Sequence, residues 1–244
     1  MTTITRPFDT PKDIMIDADI LIHKVAFKAE SSGRPEYIER NLWDLVWAYT
    51  PDFTEGDITL ALSCSRADNY RKDFLPSYKE HRNKKPSPQY LPAAKAKLLE
   101  LAKEKGWAIA YEDRMEADDL MGRASSSGTH ISVTIDKDLR TVPGWHWNPD
   151  KEWEPVFVSE TQASRFFHQQ WLTGDMTDNI PGLFRVGPKK AQALLQQVAY
   201  PNWSMAVMAE YQNKGHDEAY CMSQAHCIRI LQAGETPGSW NPWN

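Results

Sequence analysis

Along the chain, short apolar runs alternate with longer stretches of helical period. Asp13 to Ile16 is too short an apolar run for a helix and reads as a buried strand ending at Asp17; Ile20 to Ala29 then repeats at helical spacing. Asn41 to Tyr49 (NLWDLVWAY) predicts a second helix, stopped at Thr50 by Pro51. Ile58 to Cys64 is a second strand, followed by a polar, basic stretch broken by Pro76, Pro86, Pro88 and Pro92. Ala93 to Lys105 is amphipathic with Gly106 as its stop, and Trp107 to Tyr111 is a third strand. Helix Glu116 to Ala124 and strand His130 to Ile135 form the next unit, and the tryptophan-rich Pro143 to Val158 reads as a hairpin or two short edge strands. From Glu160 onward the pattern is almost entirely helical. Repeated strand–helix units with non-alternating strands predict an α/β fold, a largely parallel sheet flanked by helices. The expected division is an α/β core over residues 1–158 and a helical region over 159–244 packed on it.

With 244 residues the chain is long enough for one such core and a helical extension. Apolar residues at 41 % and charged residues at 25 % are ordinary for a soluble globular protein. No run approaches the roughly 18 apolar residues needed to span a bilayer, and the first residues carry no secretory pattern, so no membrane partner is expected and the cytoplasm is the expected compartment. Three cysteines give neither a disulfide framework nor a thiolate metal spacing; Cys64, ending an apolar strand, is expected to be buried. Zinc-site histidine patterns and a Walker A loop are lacking. The net charge of −5 argues at first against nucleic acid, but six Lys or Arg stand between Arg71 and Lys85 against two acids. That local excess suits phosphate attraction, although a solvated charge run is the plain alternative.

Acids change the picture most. Asp17, Asp68, Glu116, Asp118, Asp119, Asp136, Asp138, Asp175 and Asp178 each stand beside an apolar strand or helix pattern. Glu116 and Asp119 share a helical face and Asp118 lies off it, with capping as the alternative role for one of them. Asp136 and Asp138, two apart after a strand, point the same way in extended chain. Asp175 and Asp178 are three apart, and Asp178 has a turn or cap as its alternative. Asp19 reads as a cap or as an acid behind the ligands. Such a group cannot fold together without neutralisation, and the natural agents are hard divalent cations, Mg²⁺ or Mn²⁺. Two ions about 4 Å apart would suit phosphodiester hydrolysis.

Taken in order, MIDAD, RADNYRKDFLPSYKEHR, MEADDLMG, TIDKDL and TGDMTDNIPG resemble the motifs of the flap endonuclease and 5′→3′ exonuclease family, especially phage members and the 5′-nuclease domains of bacterial DNA polymerases. The C-terminal QAHCIRILQAGE is similar, less specifically, to the tail of podovirus exonucleases. The resemblance runs from about Asp13 to Gln196 and carries over all nine acids as metal ligands, two or more ions, together with Arg71, Tyr78, Lys79 and Arg82. It implies a PIN-like 5′-nuclease fold with a helical arch, here short, at about residues 70–92. A helix-hairpin-helix (helix–three-turn–helix) DNA-binding element is implied at about 172–197. In the hairpin, relatives commonly read PGVxGIGxKTA where this chain reads PGLFRVGPKKA: Gly182 and Gly187 remain, and Arg185 replaces a glycine. That puts K⁺ coordination by the loop in doubt, while Arg185, Lys189 and Lys190 stand ready to contact phosphate directly.

On this resemblance the expected reaction is hydrolysis of DNA near 5′ ends, nicks or 5′ flaps, leaving 5′-phosphates, in phage DNA replication or DNA degradation. Asp136, Lys79 and Arg82 are the expected catalytic residues, the two cations sharing a helical face toward the scissile phosphate. Tyr78 offers a stacking surface and Lys84 and Lys85 track the strand. RNA·DNA hybrids, in ribonuclease H-like primer removal, are an alternative substrate, and a catalytically inactive DNA-binding protein is an alternative role. Trp240 and Trp243 in the tail either pack back or bind a replication partner.

Overall fold

The structure, a computed structural model, describes residues 10–50, 56–84 and 86–243. Six strands form one sheet in the order β3-β2-β1-β4-β5-β6. They are β1 (Asp13–Asp17), β2 (Ile58–Ala61), β3 (Ala108–Ala110), β4 (His130–Val133), β5 (Gly144–Trp147) and β6 (Val156–Val158). The first five run parallel, and β6 returns antiparallel to β5, forming the edge pair that the Trp-rich segment predicts.

Side-chain alternation along the central strand divides the core. Ile14 and Ile16 point to one face, where α1 (Ala18–Ser32), α2 (Ile38–Ala48) and α4 (Leu91–Lys105) bury Leu21, Leu42 and Leu98. Met15 points to the other face and meets Met121 of α5 (Ala117–Ser126), Leu139 and Val142. Four more helices, α6 (Glu160–Thr173), α7 (Pro188–Gln196), α8 (Trp203–Asn213) and α9 (Glu218–Ile228), surround a second core. At its centre the fully buried Trp171 donates its indole N–H to Cys221 O (2.9 Å) and accepts the Tyr211 hydroxyl at its carbonyl (2.6 Å). No described helix is long and apolar enough to cross a membrane.

Strands β2 and β4 are shorter than their apolar runs predict. Pairing stops where β1 stops: Asp17 stands opposite Ala61 and Ile16 opposite Val133, and the chain turns into α1 immediately after Asp17. α1 accordingly begins at Ala18, ahead of the expected Ile20, because the Asp17 carboxylate accepts the Ile20 amide (3.3 Å) and caps it. Cys64 is half-buried, lying beyond the shortened β2.

The proline-broken segment after β2 holds α3 (Arg71–Phe74) and a 3₁₀ turn, Glu80–Lys84. It is pinned to the loop before α7, where Lys79 N donates to Asp178 O (2.9 Å) and the Asn179 amide donates to Ser77 O (2.7 Å). In that loop Gly174 and Gly182 lie back to back, and a Cβ on Gly182 would sit 2.2 Å from Gly174 N. Arg185, replacing the family glycine, takes the left-handed φ of 59° that a glycine would adopt freely. Of the tail tryptophans, Trp240 packs on Phe167 and Trp171 (ring centroids 5.0 and 5.6 Å), whereas Trp243 is exposed.

Candidate active site

The acids gather at the carboxyl ends of the parallel strands, where open α/β sheets form their ligand crevice. Asp17 ends β1, and its second oxygen accepts the Thr134 hydroxyl (3.1 Å) just beyond β4. Thr134 Oγ1 accepts the Asp136 amide (3.1 Å), and Asp136 in turn accepts the Asp138 amide (2.9 Å). One hydroxyl thus ties Asp17 to the loop that carries Asp136 and Asp138. The first turn of α5 brings Asp118 alongside, with Glu116 immediately before the helix.

Two populations of acid result. Burial lifts the Asp17 pKa from 3.8 to about 7, with the nearby Asp19 and Asp136 charges adding to it. Asp118 is pushed well above the carboxylate range by burial and then by Asp17, Asp136 and Glu116. Among the described residues no Lys or Arg forms an ion pair with Asp17, Asp118 or Asp136. Glu116 is the reverse case. Burial works against its ionisation, but Lys79 and Arg71 outweigh it and hold the pKa at about 2. Lys79 Nζ lies 2.5 Å from Glu116 Oε1 and 3.4 Å from Asp178 Oδ2, and the Tyr78 hydroxyl, with one proton to donate, lies within hydrogen-bond distance of both acids (2.8 and 3.0 Å). Arg82 completes the group with a 2.5 Å contact to Asp178 Oδ1.

Asp138 accepts the side-chain amide of Gln170 (2.7 Å) and the Lys137 ammonium (2.7 Å), and Asp175 accepts the Thr177 amide (2.7 Å). Asp138, Asp175 and Asp136 all act on Lys137, raising its pKa against the effect of burial. Asp68 is exposed and accepts the Ser65 hydroxyl. Asp119 is fully buried, with both oxygens engaged by Arg71 (2.8 Å each). Among the described residues no group of three or more His, Cys, Asp or Glu side chains closes around one point as a formed metal site. The donor set of Asp17, Asp118 and Asp136 is nevertheless oxygen-only and without an ion pair to Lys or Arg, running from buried Asp17 through half-buried Asp118 to exposed Asp136, which fits Mg²⁺ or Mn²⁺.

Several expectations for the basic segment are corrected. Tyr78 offers no stacking surface, since it is 2 % exposed and spends its hydroxyl on Glu116 and Asp178. Arg71 does not face nucleic acid; it is 2 % exposed and serves as an internal counter-charge to Asp119. Lys79 and Arg82 do not share a helical face, because Lys79 has φ 54°, yet they converge on Asp178. Lys85 and the side chain of Lys84 lie outside the described residues. Arg185 and Lys189 are exposed, the Arg185 guanidinium lying over the Phe184 ring (4.9 Å), and Lys190 faces Glu210 (3.6 Å). Gly182 is buried, while Gly187 leads into α7 with open space around it.

Thr134, Lys137, Gln170 and Asn179 escaped the sequence reading. Thr134 was detectable in principle, standing two before Asp136 in extended chain; Gln170 and Asn179 carry no such signal.

Residues 12–145 match the family described as 5'-3' exonuclease, N-terminal resolvase-like domain. The chain belongs to that family. Thermostable DNA polymerase I of Thermus aquaticus is 28 % identical over 158 residues, covering 59 % of this chain and 18 % of the polymerase. A 5'-3' exonuclease of Mycoplasma pneumoniae is 28 % identical over 153 residues (54 % of this chain, 51 % of the relative). Flap endonuclease Xni of Shewanella baltica is 29 % identical over 140 residues (52 % and 53 %). The chain thus spans about half the length of these nucleases and far less of the polymerase. Among solved structures, the T5 D15 protein co-crystallised with metal ions superimposes with a TM-score of 0.65 at 12 % identity, covering 89 % of each chain. The catalytic core of Rad2 in complex with DNA substrate gives 0.53 at 14 % identity, covering 95 % of this chain and 83 % of that one. At these identities the likeness establishes the fold alone, a mixed α/β architecture.

Proposed function

We propose that this chain is a divalent-metal-dependent 5′-nuclease that hydrolyses DNA phosphodiesters close to 5′ ends, nicks or 5′ flaps and leaves 5′-phosphates. The observation that carries this reading is the division of the acids. Among the described residues Asp17, Asp118 and Asp136 form no ion pair with Lys or Arg, while Glu116 and Asp178, beside them, are paired with Lys79, Arg71 and Arg82. A site so divided accepts cations on one side and presents Lys79 and Arg82 to an anion on the other.

In this proposal Asp17, Asp118 and Asp136 hold Mg²⁺ or Mn²⁺, with Asp138 and Asp175 beside Lys137 as the acids of a neighbouring position. The bound ion would polarise the scissile phosphate and make water nucleophilic at neutral pH. Lys79 and Arg82 exchange part of their contact with Glu116 and Asp178 for the phosphoryl oxygens, where negative charge grows in the transition state. Tyr78 stays in place with its hydroxyl against both Glu116 and Asp178. Exposed Arg185 and Lys189 and the first turn of α7 hold duplex phosphates without reading sequence.

The test is product size from matched 5′-labelled duplex, nicked, 5′-flap and RNA·DNA substrates, with Mg²⁺ and with EDTA. Short 5′-phosphorylated products that require metal and vanish in Asp136→Ala, with DNA binding retained, are expected. Faster cleavage of the hybrid would make primer removal the function. DNA-end binding without cleavage of any substrate would refute the catalytic reading.

A further inference from the structure

The segment after α9 lies along one face of α5. Leu231 N donates to Asp119 Oδ1 (3.2 Å), and Ala233 N donates to Ser126 Oγ (2.8 Å). Arg123 donates from Nε and Nη2 to Glu235 O (3.1 and 2.7 Å). Gly122 completes the face by having no side chain: a Cβ there would stand 2.5 Å from Leu231 O and 2.6 Å from Ile230 Cγ2. Positions 119, 122, 123 and 126 are spaced three and four apart, so the segment follows a single helical face. Ile230 is buried in the core beneath α5 with Met121 and Val142. Arg229 and Glu235 form an ion pair that closes the segment on itself.

Arg71 ties this segment to the acids. All five of its N–H donors are engaged. Nε donates to Cys227 O (3.0 Å), and Nη2 to Arg229 O and to Asp119 Oδ1 (2.8 Å each). Nη1 donates to Asp119 Oδ2 (2.8 Å) and Glu116 Oε2 (3.3 Å). Asp119 has its remaining acceptor capacity taken by Leu231 N, Glu116 N (3.2 Å) and the Tyr70 hydroxyl (3.3 Å). Cys227 to Glu235 lies wholly outside the residues 12–145 matched to the family.

We propose that Cys227 to Glu235 is a brace that sets the position and rotation of the first turn of α5, with Arg71 and Asp119 as positioning residues that aim Glu116 and Asp118 into the acid cluster. This rests on the nuclease reading, since what is aimed is the metal site. The physical basis is that a saturated guanidinium–carboxylate pair admits one geometry, whereas the first turn of a short helix otherwise frays. Asp119 contributes by anchoring and Asp118, one residue earlier, by pointing away from the anchor.

The test uses the full chain and two variants. Gly122→Ala improves the intrinsic helix propensity of α5 while pushing the brace off it. Arg71→Lys keeps a positive charge beside Asp119 with at most three of the five bonds. Each is measured for amide hydrogen exchange over 229–235, Mn²⁺ binding by electron paramagnetic resonance, thermal midpoint, and kcat and KM on a 5′-labelled duplex. The expected result is faster exchange over 229–235, with Mn²⁺ affinity and kcat each falling about 10- to 100-fold and KM for DNA little changed, well below the thermal midpoint. Wild-type Mn²⁺ affinity and kcat in a variant whose 229–235 segment has loosened would overturn the brace and leave a purely structural contact. Should Gly122→Ala fail to fold, Arg71→Lys decides alone. A wild type that neither binds Mn²⁺ nor cleaves overturns the nuclease reading, and the brace with it; the wild-type measurement by itself identifies that case.

Discussion

Replacing Asp118 by asparagine should stabilise the metal-free protein at pH 8 and weaken its response to metal. Asp118 is surrounded by Asp17, Asp136 and Glu116 and is buried, so its charged form is disfavoured. Asp17 sets the scale: lifting its pKa from 3.8 to about 7 corresponds to about 4 kcal/mol of preference for the neutral acid. Asparagine keeps the shape and removes the charge but remains a buried polar group. Asp118 is pushed the same way by burial and by its acidic neighbours, so the variant should unfold at a higher temperature than the wild type at pH 8. The sign follows from linkage. Below the unfolded pKa of 3.8 the acid is neutral in both states, and the variant gains nothing. As pH rises from there through the raised folded pKa, the unfolded chain ionises first and wild-type stability is lost, so the variant's advantage grows and then levels off. Thermal unfolding in EDTA at pH 4 and pH 8 reads this difference as that of the acid cluster, because Asp17 and Asp136 also feel the loss of the Asp118 charge. Mg²⁺ should then raise the wild-type midpoint more than that of the variant. A midpoint difference that is the same at both pH values would refute the claim that Asp118 is an uncompensated acid.

Other consequences are checked separately. Lys79→Met should lower kcat by about 10²-fold with DNA affinity little changed, because it removes a charge aimed at the transition state; single-turnover kinetics separate the two. Burial holds the pKa values of both His146 and His168 at about 4, so the unfolded state protonates first as pH falls through 6.5. Each then removes about 3 kcal/mol of stability by pH 4, opposite in sign to the raised acids Asp17 and Asp118, and His168→Gln should recover its share at pH 4 relative to pH 7 in urea unfolding in EDTA. Trp240→Ala should destabilise the fold by about 2–3 kcal/mol in denaturant unfolding, whereas Trp243→Ala stays within about 0.5 kcal/mol. Arg185→Ala should reduce the slope of log affinity against log salt by about 1 on duplex DNA, through loss of one phosphate contact.

Much of the fold was legible because strand residues carry information on two faces. Ile14 and Ile16 against Met15 predict a strand covered on both sides, and helices cover both. Strand lengths were less legible, since they depend on a partner. Leu62 is as apolar as Leu60, but β1 has already turned into α1 and offers it no ladder. In the helical half, the pattern shows helix from Glu160 onward without dividing it into its four helices or showing that Trp171 is the residue they enclose. The hydrogen bonds that fix it, to Cys221 and from Tyr211, come from 50 and 40 residues away.

In the site, the acids were visible in the sequence and their division was not. Spacing reveals which carboxylates can converge, but the fate of each depends on which cations reach it through space. Arg71, Lys79 and Arg82 belong to the basic stretch that looks like a nucleic-acid surface, yet all three are paired with Glu116, Asp119 or Asp178 in the folded chain. The stretch therefore has two jobs in one sequence. Arg71, fully engaged, neutralises permanently, and allows Glu116 and Asp119 to be buried at all. Arg82 is half-exposed and Lys79 buried beside it, and both face the acids through a few contacts, to Glu116 and Asp178. A cation run predicts attraction to anions, and the first anions it meets are those of its own chain. The net charge of −5 thus conceals a local balance in which the ion pairs gather around Glu116, Asp119 and Asp178, while Asp17, Asp118 and Asp136 form none with Lys or Arg among the described residues.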